Sequence, residues 1–469
     1  MKLPNYIEAK KRSKDKVIKK VYKKNNNVET LGLNKTYFIK TYGCQMNEHD
    51  SENIKALLEE MSFTRTDDYE SADLVLLNTC SIRENAHNKA FGMLGRLKHL
   101  KESRPHLIVG LCGCMAQEEK VTKEILEKYK WVNFVFGTHN LHRLPDLLLE
   151  NFNTSKQIIE VYSNEGSIIE GIPVKRDSKY KAYVNIIYGC DKFCTYCIVP
   201  FTRGKQRSRL PEDIIREVED LVSQGYKEVT LLGQNVNAYG KDLDIEYTME
   251  NLLEDVSKTN IPRIRFVTSH PWDFTDNMID VIAKHPNIMP YIHLPVQSGS
   301  SRILKLMGRR YTKEEYLTLF HKIRERIPGC TISTDIIVGF PNETEEDFNE
   351  TIELVEECKF DNAFSFIYSP REGTAAAKLE DIVPLKEKEQ RLYKLNEHLN
   401  KYFLISNKNM VDKIVDVLVE GRNEKGKLFG YTDTLKLINF EGEDSLIGQI
   451  IKVKVIDAKT WSLDGEVYK

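Results

Sequence analysis

The sequence predicts an α/β protein in three parts. These are an N-terminal parallel-sheet α/β domain, a partial (β/α)6 barrel, and a small C-terminal β-barrel of oligonucleotide-binding type. Three observations carry that expectation. Short aliphatic runs alternate with helix-length stretches from residue 36 to residue 406, the pattern of parallel strands joined by right-handed helical crossovers. From residue 409 the rhythm changes to short strands punctuated by Gly421, Gly430, Gly442 and Gly448, as in small closed barrels. Cysteines recur just after predicted strands, at the sheet edge where open parallel sheets bind ligands.

Residues 1–35 form a basic arm in which only Glu8 and Asp15 offset the lysines and arginines of the first 24 residues. A solvated, disordered tail and a segment that steers polyanions are both consistent with it. Residues 36–154 make the first domain. Strands are predicted at 36–41, 73–78, 107–111 and 133–136, with helices near 47–60, 83–100, 117–129 and 139–150. Cys44 follows the first strand in TYGCQMN, Cys80 the second in NTCSIRE, and Cys114 the third in GCMAQ. Parallel strands bring their carboxyl ends to one edge, so the three thiols are expected to converge. A cubane cluster has four irons, and three thiolates leave one of them open. The competing reading is that buried cysteines simply fill α/β cores. Cys112 stands two residues before Cys114 and points to the same side by strand alternation, so spacing alone lets the two exchange roles. Cys330 and Cys358 sit in apolar stretches and read as core.

Residues 155–175 read as a polar linker. Residues 176–406 supply six further strands, near 183–187, 228–232, 263–268, 290–294, 331–338 and 362–367. Barrel chemistry lives in the loops after such strands. The first loop is Gly189-Cys190-Asp191-Lys192-Phe193-Cys194-Thr195-Tyr196-Cys197. Cys190, Cys194 and Cys197 again give three thiols, on one short loop. An open iron–sulfur cluster fits that spacing, and a zinc loop completed by a distant residue is the alternative. The later loops carry Gly233, Gln234 and Asn235, then Ser269, then Gln297, then Gly339. Glycines and small polar residues let a backbone approach and hydrogen-bond a ligand. Any one of these loops is explained by turn chemistry, but all of them at one barrel end point to a shared cofactor pocket. Thr202 to Arg209 carries four cations, Arg203, Lys205, Arg207 and Arg209. They either meet phosphates or pair within the chain. His270 and His293 end strands, and no acid–base role is assigned to them.

In the C-terminal part, residues 409–469, strands are predicted near 413–419, 427–430, 435–438, 450–456 and 461–467. Acidic and basic residues nearly balance there. Phe429, Tyr431 and Trp461 either stack on bases or pack inward. Over the whole chain, 68 basic residues face 70 acidic ones, a net charge of −2, which neither demands nor excludes a nucleic-acid partner. No apolar run is long enough to span a membrane and no apolar signal core opens the chain. A cytoplasmic protein is therefore expected, and its nine cysteines read as ligands, redox groups or core, not disulfides.

The motifs TYGCQMNEHDSE, NTCSIRENA, GCMAQ, GCDKFCTYCIVPFTRG, STDIIVGFPNET and DAKTWSLDGE resemble those of the methylthiotransferases of the radical S-adenosylmethionine superfamily. The likeness spans residues 36–469. GCQMN, where sister branches tend to have GCKVN or GCPKN, is closest to the branch acting on N(6)-dimethylallyladenosine of tRNA. The resemblance implies a methylthiotransferase N-terminal domain, a radical core and a TRAM domain. It implies two 4Fe-4S clusters, one held by Cys190, Cys194 and Cys197, and an auxiliary one held by Cys44, Cys80 and Cys114, with Cys112 left to the core. The first cleaves S-adenosylmethionine to a 5′-deoxyadenosyl radical, which removes hydrogen from carbon 2 of the adenine at position 37. The auxiliary cluster carries sulfur that a second S-adenosylmethionine methylates, so two are used per turnover. Tyr196 then lies against the cofactor adenine, while Gly233, Gln234, Asn235, Ser269, Gln297 and Gly339 line its pocket. The implied partners are the tRNA anticodon stem-loop, an electron donor such as flavodoxin or ferredoxin, and iron–sulfur assembly proteins, with the enzyme a monomer. Threonylcarbamoyl-adenosine of tRNA or a ribosomal-protein aspartate is the alternative substrate. A non-catalytic iron–sulfur RNA-binding protein is the alternative from another class.

Overall fold

The computed structural model of the chain describes residues 1–11, 17–81, 84–163 and 167–468 and divides into two units. Arg12 to Lys16 of the basic arm, Ile82 and Arg83 of the NTCSIRENA motif, and residues 164–166 of the linker lie outside the described residues.

The first unit comprises Met1–Asp177, Tyr188–Phe193 and Cys197–Arg209. Its sheet runs, in spatial order, Thr64–Arg65, Thr36–Thr41, Leu74–Thr79, Ile108–Gly113, Phe134–Phe136 and Ile158–Glu160. Every pairing is parallel. The two central strands are buried along their whole length, which is why they read as near-continuous apolar runs. Val75, Leu77, Val109 and Leu111 pack into one layer and Leu74, Leu76 and Ile108 into the other. Helices Gln45–Glu60, Glu84–Ser103, Glu119–Lys128 and Leu144–Thr154 cover the sheet. The last starts one turn later than predicted, because Leu141–Arg143 is a 3-10 turn and Pro145 opens the α-helix.

The arm and linker differ from expectation. Tyr6–Lys11 is helical, Lys19–Val21 pairs in parallel with Ile168–Glu170, and Lys2 bridges Glu160. Val28 is in the core. The described residues of the arm are thus built onto the first unit and are not a free tail. Apolar anchors explain the difference. Tyr6 and Ala9 pack with Ile198 and Phe201, the Tyr6 and Phe201 rings 5.4 Å apart. The charge count of the arm hides these few contacts.

The second unit comprises Ser178–Ile187, Cys194–Tyr196 and Leu210–Lys469. Strands Lys181–Asn185, Glu228–Leu232 and Arg263–Phe266 form one parallel sheet, and Tyr291–His293, Thr331–Val338 and Asn362–Ile367 another. A parallel bridge between Ile264 and Ile288 links them. This is the six-strand partial barrel expected. Its helices start cleanly because Thr248, Thr312 and Thr344 each form a capping box. Cys330 and Cys358 belong to its apolar core. The last five strands close into a barrel. Arg263 donates to the carbonyls of Tyr431 at 2.9 Å and Asp416 at 2.8 Å, which fastens this barrel to the rest of its unit. Trp461 is 63% exposed and meets Phe403 edge-on, so it is available to solvent. No described helix is long and apolar enough to cross a membrane.

Candidate functional site

The first unit places Cys44, Cys80 and Cys114 just beyond three adjacent parallel strands. Cys44 precedes helix Gln45–Glu60, Cys80 follows Leu74–Thr79, and Cys114 opens the 3-10 turn Cys114–Gln117. The three thiols are brought together. The Cys44 thiol is pushed down to about 6, chiefly by a hydrogen bond with Cys80, with the Arg203 charge acting the same way against burial. Burial pushes the Cys114 thiol up, opposed by Arg203. Two glycines allow this crowding. Gly43 has φ +124°, and a Cβ there would overlap Cys80. Gly113 has φ +90°, and a Cβ there would overlap the Thr79 carbonyl. Asn47 ties the turns together, donating from Nδ2 to the carbonyls of Tyr42 and Thr79, both at 2.9 Å. Cys112 instead joins the apolar cluster of Ile54, Leu57 and Leu58, and burial raises its thiol well above the usual range.

Arg203 was legible only as one cation among four. In the structure it is 4% exposed. Its Nε donates to Cys114 Sγ at 3.1 Å, and its Nη2 to Asn47 Oδ1 at 2.9 Å and Asp50 Oδ2 at 2.6 Å. Arg209 pairs with Glu170 at 2.7 Å, and Arg207 donates to the Arg203 carbonyl at 3.0 Å. These three arginines are therefore buried and bonded within the chain, the second of the two alternatives the sequence left open. Ser81 Oγ and His139 Nε2 are buried with no hydrogen-bond partner among the described residues. Burial, with Arg207 and Arg203, keeps the His139 imidazole neutral. Three thiols with an unpartnered buried hydroxyl beside Cys80 fit an iron–sulfur cluster, whose sulfides accept hydrogen bonds. Among the described residues no three His, Cys, Asp or Glu side chains close around a single metal ion. A cubane binds each thiolate through a different iron, so its ligands stand farther apart than those of a mononuclear site.

The CDKFCTYC loop contributes to both units. In the first, Gly189 has φ +71°, and a Cβ there would overlap the Lys205 carbonyl. The Cys190 amide donates to the Gly204 carbonyl at 3.2 Å, and the Gln206 amide to Asp191 Oδ1 at 3.1 Å. Cys190 is buried and Cys197 half-buried. In the second unit, Thr195 donates to the carbonyls of Met307 at 2.9 Å and Leu306 at 2.8 Å. Cys194 is buried and accepts from Arg309 Nη1 at 3.5 Å. Arg309 also donates to Tyr311 Oη and the Pro295 carbonyl, each at 2.9 Å, and has no carboxylate partner among the described residues.

The other predicted pocket residues sit on the loops after the second unit's strands. The Val236 amide donates to the Thr268 carbonyl at 3.3 Å, and the His270 amide to Asn237 Oδ1 at 3.2 Å. These bonds join the Gly233–Asn235 loop to the Ser269 loop. Asn235 Nδ2 bonds Asp273 at 2.7 Å, while Asn235 Oδ1 and Ser269 Oγ are buried without hydrogen-bond partners among the described residues. Two such acceptor and donor atoms at one barrel end fit a polar cofactor. Gln297 is held by strand-like bonds to Asp335 and Ile337, at 2.8 and 2.9 Å, with φ +76°. The two glycines have protein reasons of their own, since a Cβ at Gly233 would overlap Ile187 and one at Gly339 would overlap Lys388. Tyr196 packs edge-on against Phe340, centroids 6.5 Å apart. His293 bonds Ser333 Oγ at 2.8 Å and faces Asp335 at 3.4 Å.

Residues 184–355 match the Radical SAM superfamily model, residues 36–137 the model described as Uncharacterized protein family UPF0004, and residues 408–468 the TRAM domain model. A protein of Shouchella clausii named tRNA-2-methylthio-N(6)-dimethylallyladenosine synthase is 55% identical over 99% of this chain and 90% of its own length. Proteins of the same name from Halalkalibacterium halodurans and Staphylococcus aureus are 54% and 53% identical, over 99% of this chain and 87% and 91% of their own lengths. Among solved structures, the radical S-adenosylmethionine methyltransferase TsrM of Kitasatospora setae is similar in fold. The TM-score is 0.52 at 15% identity, covering 73% of this chain and 77% of that one.

Proposed function

The chain belongs to the tRNA-2-methylthio-N(6)-dimethylallyladenosine synthase family, within the radical S-adenosylmethionine superfamily, and from that membership we propose how its residues divide the work. The protein is a tRNA methylthiotransferase that uses a 4Fe-4S cluster and S-adenosylmethionine. It adds a methylthio group to carbon 2 of N(6)-dimethylallyladenosine at position 37. An aromatic C–H resists acid–base activation. The bound cofactors supply the carbon-centred radical that can break it, and the sulfur that replaces the hydrogen.

In this reading Cys190, Cys194 and Cys197 hold the radical-generating cluster, and Cys44, Cys80 and Cys114 hold a second, auxiliary one. Each set leaves one iron without a protein thiolate. Ser269 Oγ and Asn235 Oδ1 bond the polar groups of S-adenosylmethionine, and the loops carrying Gly233, Gln234, Gln297 and Gly339 frame it. Tyr196, fixed by Phe340, offers a flat surface to its adenine. Two S-adenosylmethionines serve each turnover, one for the radical and one for the methyl group. The TRAM barrel, with exposed Trp461, offers a stacking surface to the unpaired bases of the anticodon stem-loop. A flavodoxin or ferredoxin supplies electrons, iron–sulfur assembly proteins load the clusters, and the enzyme acts as a cytoplasmic monomer.

The observation that supports this division best is the meeting of Cys44, Cys80 and Cys114, far apart in sequence, at one sheet edge. Its test compares two variants under anaerobic reducing conditions. Cys80→Ala is expected to release methionine and 5′-deoxyadenosine but to form no methylthiolated tRNA. Cys190→Ala is expected to do neither. S-adenosylmethionine cleavage in Cys190→Ala equal to that of the unsubstituted enzyme contradicts the assignment. Mass spectrometry of tRNA nucleosides from a deletion strain reads the substrate, with 2-methylthio-N(6)-dimethylallyladenosine expected to disappear.

A further inference from the structure

We infer that Arg203 is the positioning residue that sets the charge around the auxiliary cysteine set, with Asp50 as its counterweight. The inference rests on the reading of Cys44, Cys80 and Cys114 as cluster ligands. A guanidinium is planar and always charged, and it usually meets a carboxylate with two nitrogens at once. Arg203 does not. A single nitrogen, Nη2, reaches both Asp50 Oδ2 at 2.6 Å and Asn47 Oδ1 at 2.9 Å, while Nε is turned to Cys114 Sγ at 3.1 Å. The fork is therefore shared between a carboxylate and a sulfur.

Its backbone is equally fixed. The Arg203 amide donates to the Val199 carbonyl at 2.8 Å, and its own carbonyl accepts from Arg207 Nη2 at 3.0 Å. Asp50 and Asn47 come from helix Gln45–Glu60, which starts directly after Cys44. A charge in a buried setting acts far more strongly than at a surface. Hydrogen bonds to ligand sulfurs and nearby charges set the reduction potential of iron–sulfur clusters. A cation donating to Cys114 favours the more negative, reduced state and so raises the potential. Asp50 offsets part of that effect. Arg203 also follows the CDKFCTYC loop in the chain, so the segment carrying Cys197 delivers the charge felt by Cys114.

The experiment uses the full chain with Cys190, Cys194 and Cys197 all changed to Ala, so that only the auxiliary set can hold a cluster. After reconstitution with iron and sulfide, the midpoint potential is read by electron paramagnetic resonance during titration with dithionite. Arg203→Gln is expected to lower the potential, Asp50→Asn to raise it, and Arg203→Lys to fall closer to the parent than Arg203→Gln does. Shifts of opposite sign are not produced by loosened packing. Shifts in the same direction, or none in variants that retain iron, overturn the inference. If Arg203→Gln takes up no iron, Asp50→Asn decides alone, and an unchanged or lowered potential there overturns it. Cys114→Ala in the same background separates the two levels. It is expected to lose the cluster, and a cluster that persists unchanged overturns the ligand reading itself.

Discussion

The two cysteine sets reach the same composition by opposite routes. Cys190, Cys194 and Cys197 lie within one loop, so their spacing is written in the local chain. Cys44, Cys80 and Cys114 are spread over three strands and meet only when the sheet of the first unit forms in register. Both sets rely on glycine where the chain must turn with positive φ, at Gly43 and Gly113 in one and Gly189 in the other. Both also place a buried arginine against a sulfur, but the charges differ. Arg203 faces Asp50, whereas Arg309 bonds Cys194, Tyr311 and the Pro295 carbonyl and has no carboxylate partner among the described residues. An uncompensated guanidinium favours whatever negative charge binds beside it. The loop set is thus locally specified, with an arginine that has no carboxylate partner among the described residues, while the sheet set is fold-dependent, with an arginine paired to Asp50.

The largest effects come from breaking one set without touching its ligands. Gly189→Ala forces a Cβ into the Lys205 carbonyl and is expected to abolish S-adenosylmethionine cleavage, measured as 5′-deoxyadenosine. Gly43→Ala forces one into Cys80 and is expected to abolish methylthiolation while cleavage continues. Retention of methylthiolation in Gly43→Ala removes the proposed crowding at that sheet edge. Next, Leu76→Ala in the buried strand before Cys80 is expected to cost about 3 kcal/mol, as large-to-small core substitutions do. Iron of the sheet set is then lost at lower urea than iron of the loop set, and equal loss of both erases the contrast. Arg309→Met is expected to slow S-adenosylmethionine cleavage on the order of 100-fold, the scale of losing one buried electrostatic donor. Arg309→Lys recovers part of that rate, and if it does not, charge is not what Arg309 contributes. The smallest effect is outside both sets. Trp461→Ala is expected to weaken anticodon stem-loop binding by roughly tenfold, near 1.4 kcal/mol and within the range for loss of one stacking aromatic, with iron content unchanged.

Much of the fold was legible because parallel strands declare themselves as apolar runs. Strands Thr36–Thr41, Glu228–Leu232, Thr331–Val338 and Asn362–Ile367 fall where the sequence puts them. The position of Cys44, Cys80 and Cys114 after strands was enough to predict that they meet. Edge strands Thr64–Arg65 and Ile158–Glu160 are too short to have a periodicity and were not foreseen. The basic arm misled because its charge dominates the composition while its attachment depends on Tyr6, Ala9 and Val28. Arg203, Asp50 and Asn47 were invisible as a group, since a buried ion pair joins residues distant in sequence and no local pattern marks it. Gly339 fits its loop for a reason the sequence cannot display, the passage of Lys388 across it.

In the proposed division of work each set holds its own cluster independently of the other. Iron and acid-labile sulfide, counted after identical anaerobic reconstitution, test it directly. The comparison uses the unsubstituted enzyme, the Cys44, Cys80 and Cys114→Ala triple variant, and the Cys190, Cys194 and Cys197→Ala triple variant. Each triple variant is expected to retain half of the iron and sulfide of the unsubstituted enzyme. Loss of all iron in either one, or full retention in either one, contradicts it.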